Sequence, residues 1–96
     1  MSQAPDKVIT VTTSPTKLLS ADPHRYSYEF QNQGAAPIYI GNSDQVATSG
    51  TRKGRILMSS ALEYDNVAED PKRVRGETWA VVAAGTCDVW VGEETA

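Results

Sequence analysis

Thr78-Trp79-Ala80-Val81-Val82-Ala83 and Cys87-Asp88-Val89-Trp90-Val91, joined by Ala84-Gly85-Thr86, decide the fold. In the second run Cys87, Val89 and Val91 fall on one side of an extended chain, and Asp88 and Trp90 on the other. That two-residue period marks a strand with one packed face. The first run places Trp79 with Val81 and Ala83. The glycine-containing link between the runs predicts a β-hairpin turn.

Working outward, the same period recurs. Lys7-Val8-Ile9-Thr10-Val11-Thr12-Thr13 is rich in β-branched residues and is stopped by Pro15. Residues 16–20 form a short apolar connector, and Asp22-Pro23 signals a turn, because proline pushes the residue before it out of helical geometry. Residues 25–32 put Tyr26, Tyr28 and Phe30 on one face and Ser27, Glu29 and Gln31 on the other. Residues 33–37 turn the chain into Ile38-Tyr39-Ile40, which predicts a second hairpin with a longer loop. Residues 42–54 read as a polar loop with Val46 its one large apolar residue. Short strands are expected at 56–58 and 61–64, and residues 66–76 form a second polar loop. No segment repeats apolar residues at helical spacing over ten positions. The expectation is all-β: a single small antiparallel sandwich or barrel of about six to eight short strands. It would occupy residues 7–96, after a flexible N-terminal arm at 1–6.

Composition narrows the function. Of 96 residues, 40% are hydrophobic and 22% charged, the balance of a folded globular chain. A net charge of −3 argues against non-specific nucleic-acid binding, which needs a basic face. No stretch reaches the roughly 20 apolar residues of a membrane helix. Cys87 stands alone, so no internal disulfide forms, and residues 1–6 lack the pattern of an export signal. Synthesis in a cytoplasm is expected.

Catalytic chemistry finds little material. His24, the single histidine, sits in the Pro23 turn without an evident partner, and Cys87 reads as a small buried hydrophobe among valines. One His and one Cys do not make a zinc site, and Asn42-Ser43-Asp44 lacks the remaining ligands of a calcium loop. Gly50-Thr51-Arg52-Lys53-Gly54 lacks the spacing of a phosphate loop. No catalytic residue, metal or cofactor is expected.

Adhesion has more to work with. Arg52, Lys53, Arg55, Lys72, Arg73 and Arg75 are six of the nine positive charges, and all lie in or beside the two polar loops. They read either as solvated loop charge or as one polarised contact surface for an acidic partner. Trp90 points away from the valine face, and Tyr39 lies between two isoleucines that take the opposite face. Both are candidate interface aromatics.

The order of these motifs resembles small structural proteins of tailed-bacteriophage virions, the type that decorates or cements the head. The resemblance rests on residues 9–13, 18–25, 30–34, 38–41 and 78–91, the last built on Trp-Ala-Val-Val-Ala and Cys-Asp-Val-Trp-Val. The 66–76 loop departs from it, being longer and more charged than such a module leads one to expect. The resemblance implies a homo-oligomer, dimer or trimer, bound outside the capsid to the major capsid protein and stabilising the assembled head. A carbohydrate- or receptor-binding module of a tail fibre or spike, and a neck or head–tail completion protein, are the rival expectations.

Overall fold

Strands form where the side chains alternate. The computed structural model describes residues 2–3 and 6–95, with the side chains of residues 6–95. In chain order the strands are β1 (Ser2–Gln3), β2 (Lys7–Val11), β3 (Thr16–Leu19), β4 (Arg25–Asn32), β5 (Ile38–Gly41), β6 (Arg55–Leu57), β7 (Leu62–Asn66), β8 (Thr78–Val81) and β9 (Cys87–Thr95). One short helix, α1 (Pro71–Arg75), lies between β7 and β8. Of the expected arm, residues 1, 4 and 5 fall outside the described residues, while Ser2 and Gln3 pair with Thr95 and Glu94.

Two antiparallel sheets result. In one, β1 and β2 share one flank of β9, β4 takes the other, and β7 lies beyond β4. The other runs β3-β8-β5-β6. Tyr28, Phe30, Val89 and Val91 of the first sheet and Leu18, Ile38, Ile40, Leu57 and Ala80 of the second belong to one buried cluster. The sheets therefore pack face to face, and their open edges make the fold a sandwich and not a closed barrel. The Tyr28 and Phe30 rings stack with centroids 4.6 Å apart. Burial of Phe30 alone contributes about 2–3 kcal/mol.

Neither expected hairpin forms. β8 pairs with β3 and β5, β9 with β1, β2 and β4, so residues 82–86 cross from one sheet to the other. Residues 33–37 do the same between β4 and β5. The cause is plain: the apolar faces of successive strands meet across the core instead of lying side by side. Asn32, fully buried, secures the 33–37 crossing. Its amide nitrogen donates to the carbonyls of Ala36 (2.8 Å) and Leu57 (3.0 Å), and its carbonyl oxygen accepts from Gly34 N–H at 2.9 Å. Gly34 lies so close to Cys87 that a β-carbon would collide with the sulfur.

β4 also departs from simple alternation. The register against β9 shifts between Arg25 and Ser27, which turns Tyr26 out to 44% exposure and Arg25 in to 2%. The Arg25 guanidinium donates to Glu93 (2.7 Å) and to the carbonyls of Ser20 (2.6 Å), Val74 (3.0 Å) and Gly76 (3.3 Å). Two of those carbonyls belong to the end of α1 and the residue capping it. The second polar loop thus contains a helix turn: Asp70 accepts from Arg73 N–H, Pro71 opens the turn, and Val74 is buried.

Candidate functional site

The 42–54 connection joins β5 to β6, the one pair of adjacent strands here linked within the four-stranded sheet. It folds back on itself: Ala47 N–H donates to Arg52 O and Gly54 N–H to Ala47 O. Val46, 7% exposed, anchors it. A β-carbon at Gly41 or Gly54 would come within 2.8 Å of Val46, so the two glycines make room for that anchor. The connection is thereby held as a packed flap, and a cavity of about 560 Å³ opens beside it.

Arg52, Lys53, Arg55 and Arg73 all line that cavity, with Asn42 and Gln45 among the polar residues between them and no carboxylate in the wall. Their charges are not equally met. Arg55 grips Glu63 through two nitrogens, at 2.7 and 2.6 Å. Arg73 lies between Asp65 (3.7 Å) and Asp70 (3.6 Å). Arg52 bonds the neutral amide of Gln45, and the Lys53 ammonium sits 6.0 Å from the centre of the Tyr39 ring. Neither Arg52 nor Lys53 has an ion-pair partner among the described residues. Two residues that line this cavity therefore carry positive charge unmatched by an ion pair, a field that attracts an anion.

Of the six basic residues singled out from the sequence, four converge here. Lys72 lines a second cavity of about 320 Å³ that adjoins the first across Asn42 and Arg73, together with Asp70 and Glu77. Arg75 turns elsewhere, its Nε 3.5 Å from the Arg25 carbonyl. Tyr39 is half-buried in the middle of the four-stranded sheet, paired with Val81 and Ile56. On that sheet Lys17 stands 5.2 Å over the ring of Trp79, whose indole N–H is buried without a partner.

Trp90 belongs to another surface, the outer face of the five-stranded sheet. Register aligns Val8, Trp90, Gln31 and Leu62 in one row across β2, β9, β4 and β7, with Gly92, Glu29 and Tyr64 in the next. Directly paired residues project to the same side of a sheet. Val8, Leu62 and Tyr64 are 54%, 60% and 56% exposed, and the half-buried Trp90 ring lies over Gly92. Sequence reasoning singled out Trp90 and missed the other three. The signal was the Leu62-Glu63-Tyr64 alternation, which is inverted here: Glu63 turns inward, because Arg55 and Tyr28 receive it, and the apolar pair turns out.

His24 lies exposed in its turn, where its N–H donates to the Asp22 carboxylate at 2.8 Å. Burial pushes the Cys87 thiol above its usual range, and its sulfur donates to Asn32 Oδ1 at 2.9 Å. Among the described residues no three His, Cys, Asp or Glu side chains gather as a metal site would need. Comparisons with protein-family models, curated proteins and solved structures find no match to this chain.

Proposed function

We propose that this chain is a non-enzymatic structural protein of a phage virion, a decoration or cement protein that adheres to the outside of the assembled head. The observation that carries the reading is the exposure of large apolar side chains on the outer sheet face, where Val8, Leu62 and Tyr64 stand more than half exposed in the row of Trp90 and the row beside it. A strand-built surface of this kind suits adhesion to another protein, since apolar and aromatic anchors dominate binding energy once desolvated. The motif order supplies the virion part of the reading. Bound as a symmetric oligomer, such modules would add weak contacts into strong retention.

The test is retention on purified mature heads at micromolar concentration, with native mass measured in the same experiment. Wild-type protein is expected to sediment with heads, and a Leu62→Glu, Tyr64→Glu variant to stay in solution. Heads that never retain the wild type would remove the reading. A binder found instead on a glycan array would transfer it to the fibre class.

A further inference from the structure

The two adjoining cavities differ in charge, and the order of that charge selects a ligand. The larger presents Arg52 and Lys53, both without an ion-pair partner among the described residues. The smaller presents Lys72 together with Asp70 and Glu77, so both signs of charge line it. Arg73 stands on the boundary, drawn towards Asp65 and Asp70.

We infer that this double cavity binds an extended peptide segment, acidic at the end that meets the larger cavity and neutral or basic at the end that meets the smaller. A compact anion reaches one cavity only and leaves the other unused. A uniform polyanion, whether nucleic acid or acidic polysaccharide, would bring like charge onto Asp70 and Glu77 in its second half. A short peptide strand meets both requirements, because its side chains change charge from one residue to the next. The larger volume falls within the range usual for ligand clefts. Asn42, which lines both cavities, carries an amide able to hydrogen-bond a peptide backbone. The inference rests on the protein-binding part of the proposed function and not on the identity of that protein as a phage head.

The experiment uses the full chain and three probes, followed by isothermal titration and by amide chemical shifts. The probes are a Glu-Glu-Ser-Ala-Lys peptide, an all-glutamate peptide of equal length, and inorganic tripolyphosphate. The mixed peptide is expected to bind most tightly and to shift amides around Asn42, Lys53 and Arg73. Arg52→Gln with Lys53→Gln, both on the exposed flap, should weaken it about tenfold. Glu77→Gln should weaken the mixed peptide and strengthen the all-glutamate one. Tripolyphosphate binding as tightly as the mixed peptide, an unchanged affinity in the flap variant, or no binding by any probe at millimolar concentration would each overturn the inference. Loss of head retention with peptide binding intact would unseat the head reading alone.

Discussion

Arg55 and Glu63 face each other from the edge strands of opposite sheets, with both carboxylate oxygens held by the guanidinium at 2.7 and 2.6 Å. β6 and β7 are joined by residues 58–61 but share no ladder, so this ion pair ties the two sheets together side chain to side chain where no strand pairing does. The Tyr28 hydroxyl completes the arrangement, donating to Glu63 at 2.8 Å. Burial alone would raise the Glu63 carboxyl, but the Arg55 bonds and charge outweigh it and hold the carboxyl below its ordinary value. Burial and the neighbouring Glu63 push the Tyr28 phenol up, so it stays a donor at any physiological pH.

A pH dependence follows from that carboxyl. A group with a depressed folded pKa stabilises the fold above its unfolded value, near 4.3, and that contribution is lost as pH falls through the folded value. Wild-type protein should therefore lose stability on acidification below about pH 4 more steeply than Glu63→Gln does. At pH 7 the variant should be the weaker by about 1–2 kcal/mol, because Arg55 keeps only a neutral partner. Urea denaturation at pH 7 and pH 3 tests it. Parallel pH profiles for the two proteins would show that Glu63 does not titrate as described.

Arg25 is the second polar group on which the fold leans. Its guanidinium, 2% exposed as a residue, serves Glu93 and three carbonyls from two segments. Arg25→Met matches its length and leaves all four acceptors unmet. We expect a loss of about 3–5 kcal/mol, enough to remove much of the stability of a chain this size. Arg25→Lys should recover only part of it, since an ammonium cannot present a planar fork to acceptors on several sides. Equilibrium denaturation of the three proteins measures the order.

The outer face permits a gentler perturbation. A β-carbon at Gly92 would meet the end of the Trp90 ring at 2.7 Å, so Gly92→Ala has to lift the indole off the sheet. The side chain can move, so stability should change by less than about 1 kcal/mol. Tryptophan emission should shift to the red and head retention should fall. Unaltered emission would show that the ring does not rest where it is described.

The all-β class was legible because apolar and polar residue types alternate in the sequence over 26–31 and, Trp90 aside, over 87–91, and one period identifies a strand whatever it pairs with. Its partners were not legible. Alternation looks the same whether β8 and β9 lie side by side or face each other across the core, and only the second occurs. The shift at Arg25 and the inward turn of Glu63 escaped for a related reason: a charged residue reads as exposed unless its partner is known, and both partners lie more than five residues away. The basic cleft was half visible. Counting charges placed six cations in two loops, but the sequence carries no sign that the loops converge, or that Arg75 turns away from the other five.

Asn32 supports the last prediction, which reverses the sign of the first. Its amide nitrogen donates to two carbonyls, of Ala36 and Leu57, in a fully buried site. Asn32→Asp replaces that donor with an oxygen facing those same acceptors. One carboxylate oxygen keeps the Gly34 N–H and the Cys87 thiol as donors, but the other faces the Ala36 and Leu57 carbonyls in a buried site. That repulsion, with the desolvation, outweighs the two bonds and raises the folded pKa above the unfolded value of about 3.9. The penalty is then present at neutral pH, about 3 kcal/mol or more, and shrinks as pH falls through the raised value, because a protonated carboxyl can donate once. Relative to wild type, the variant should thus recover part of its stability on acidification, the opposite of what Glu63 dictates. A difference between the two proteins that stays constant from pH 7 to pH 4 would mean that the two carbonyls do not converge on this side chain.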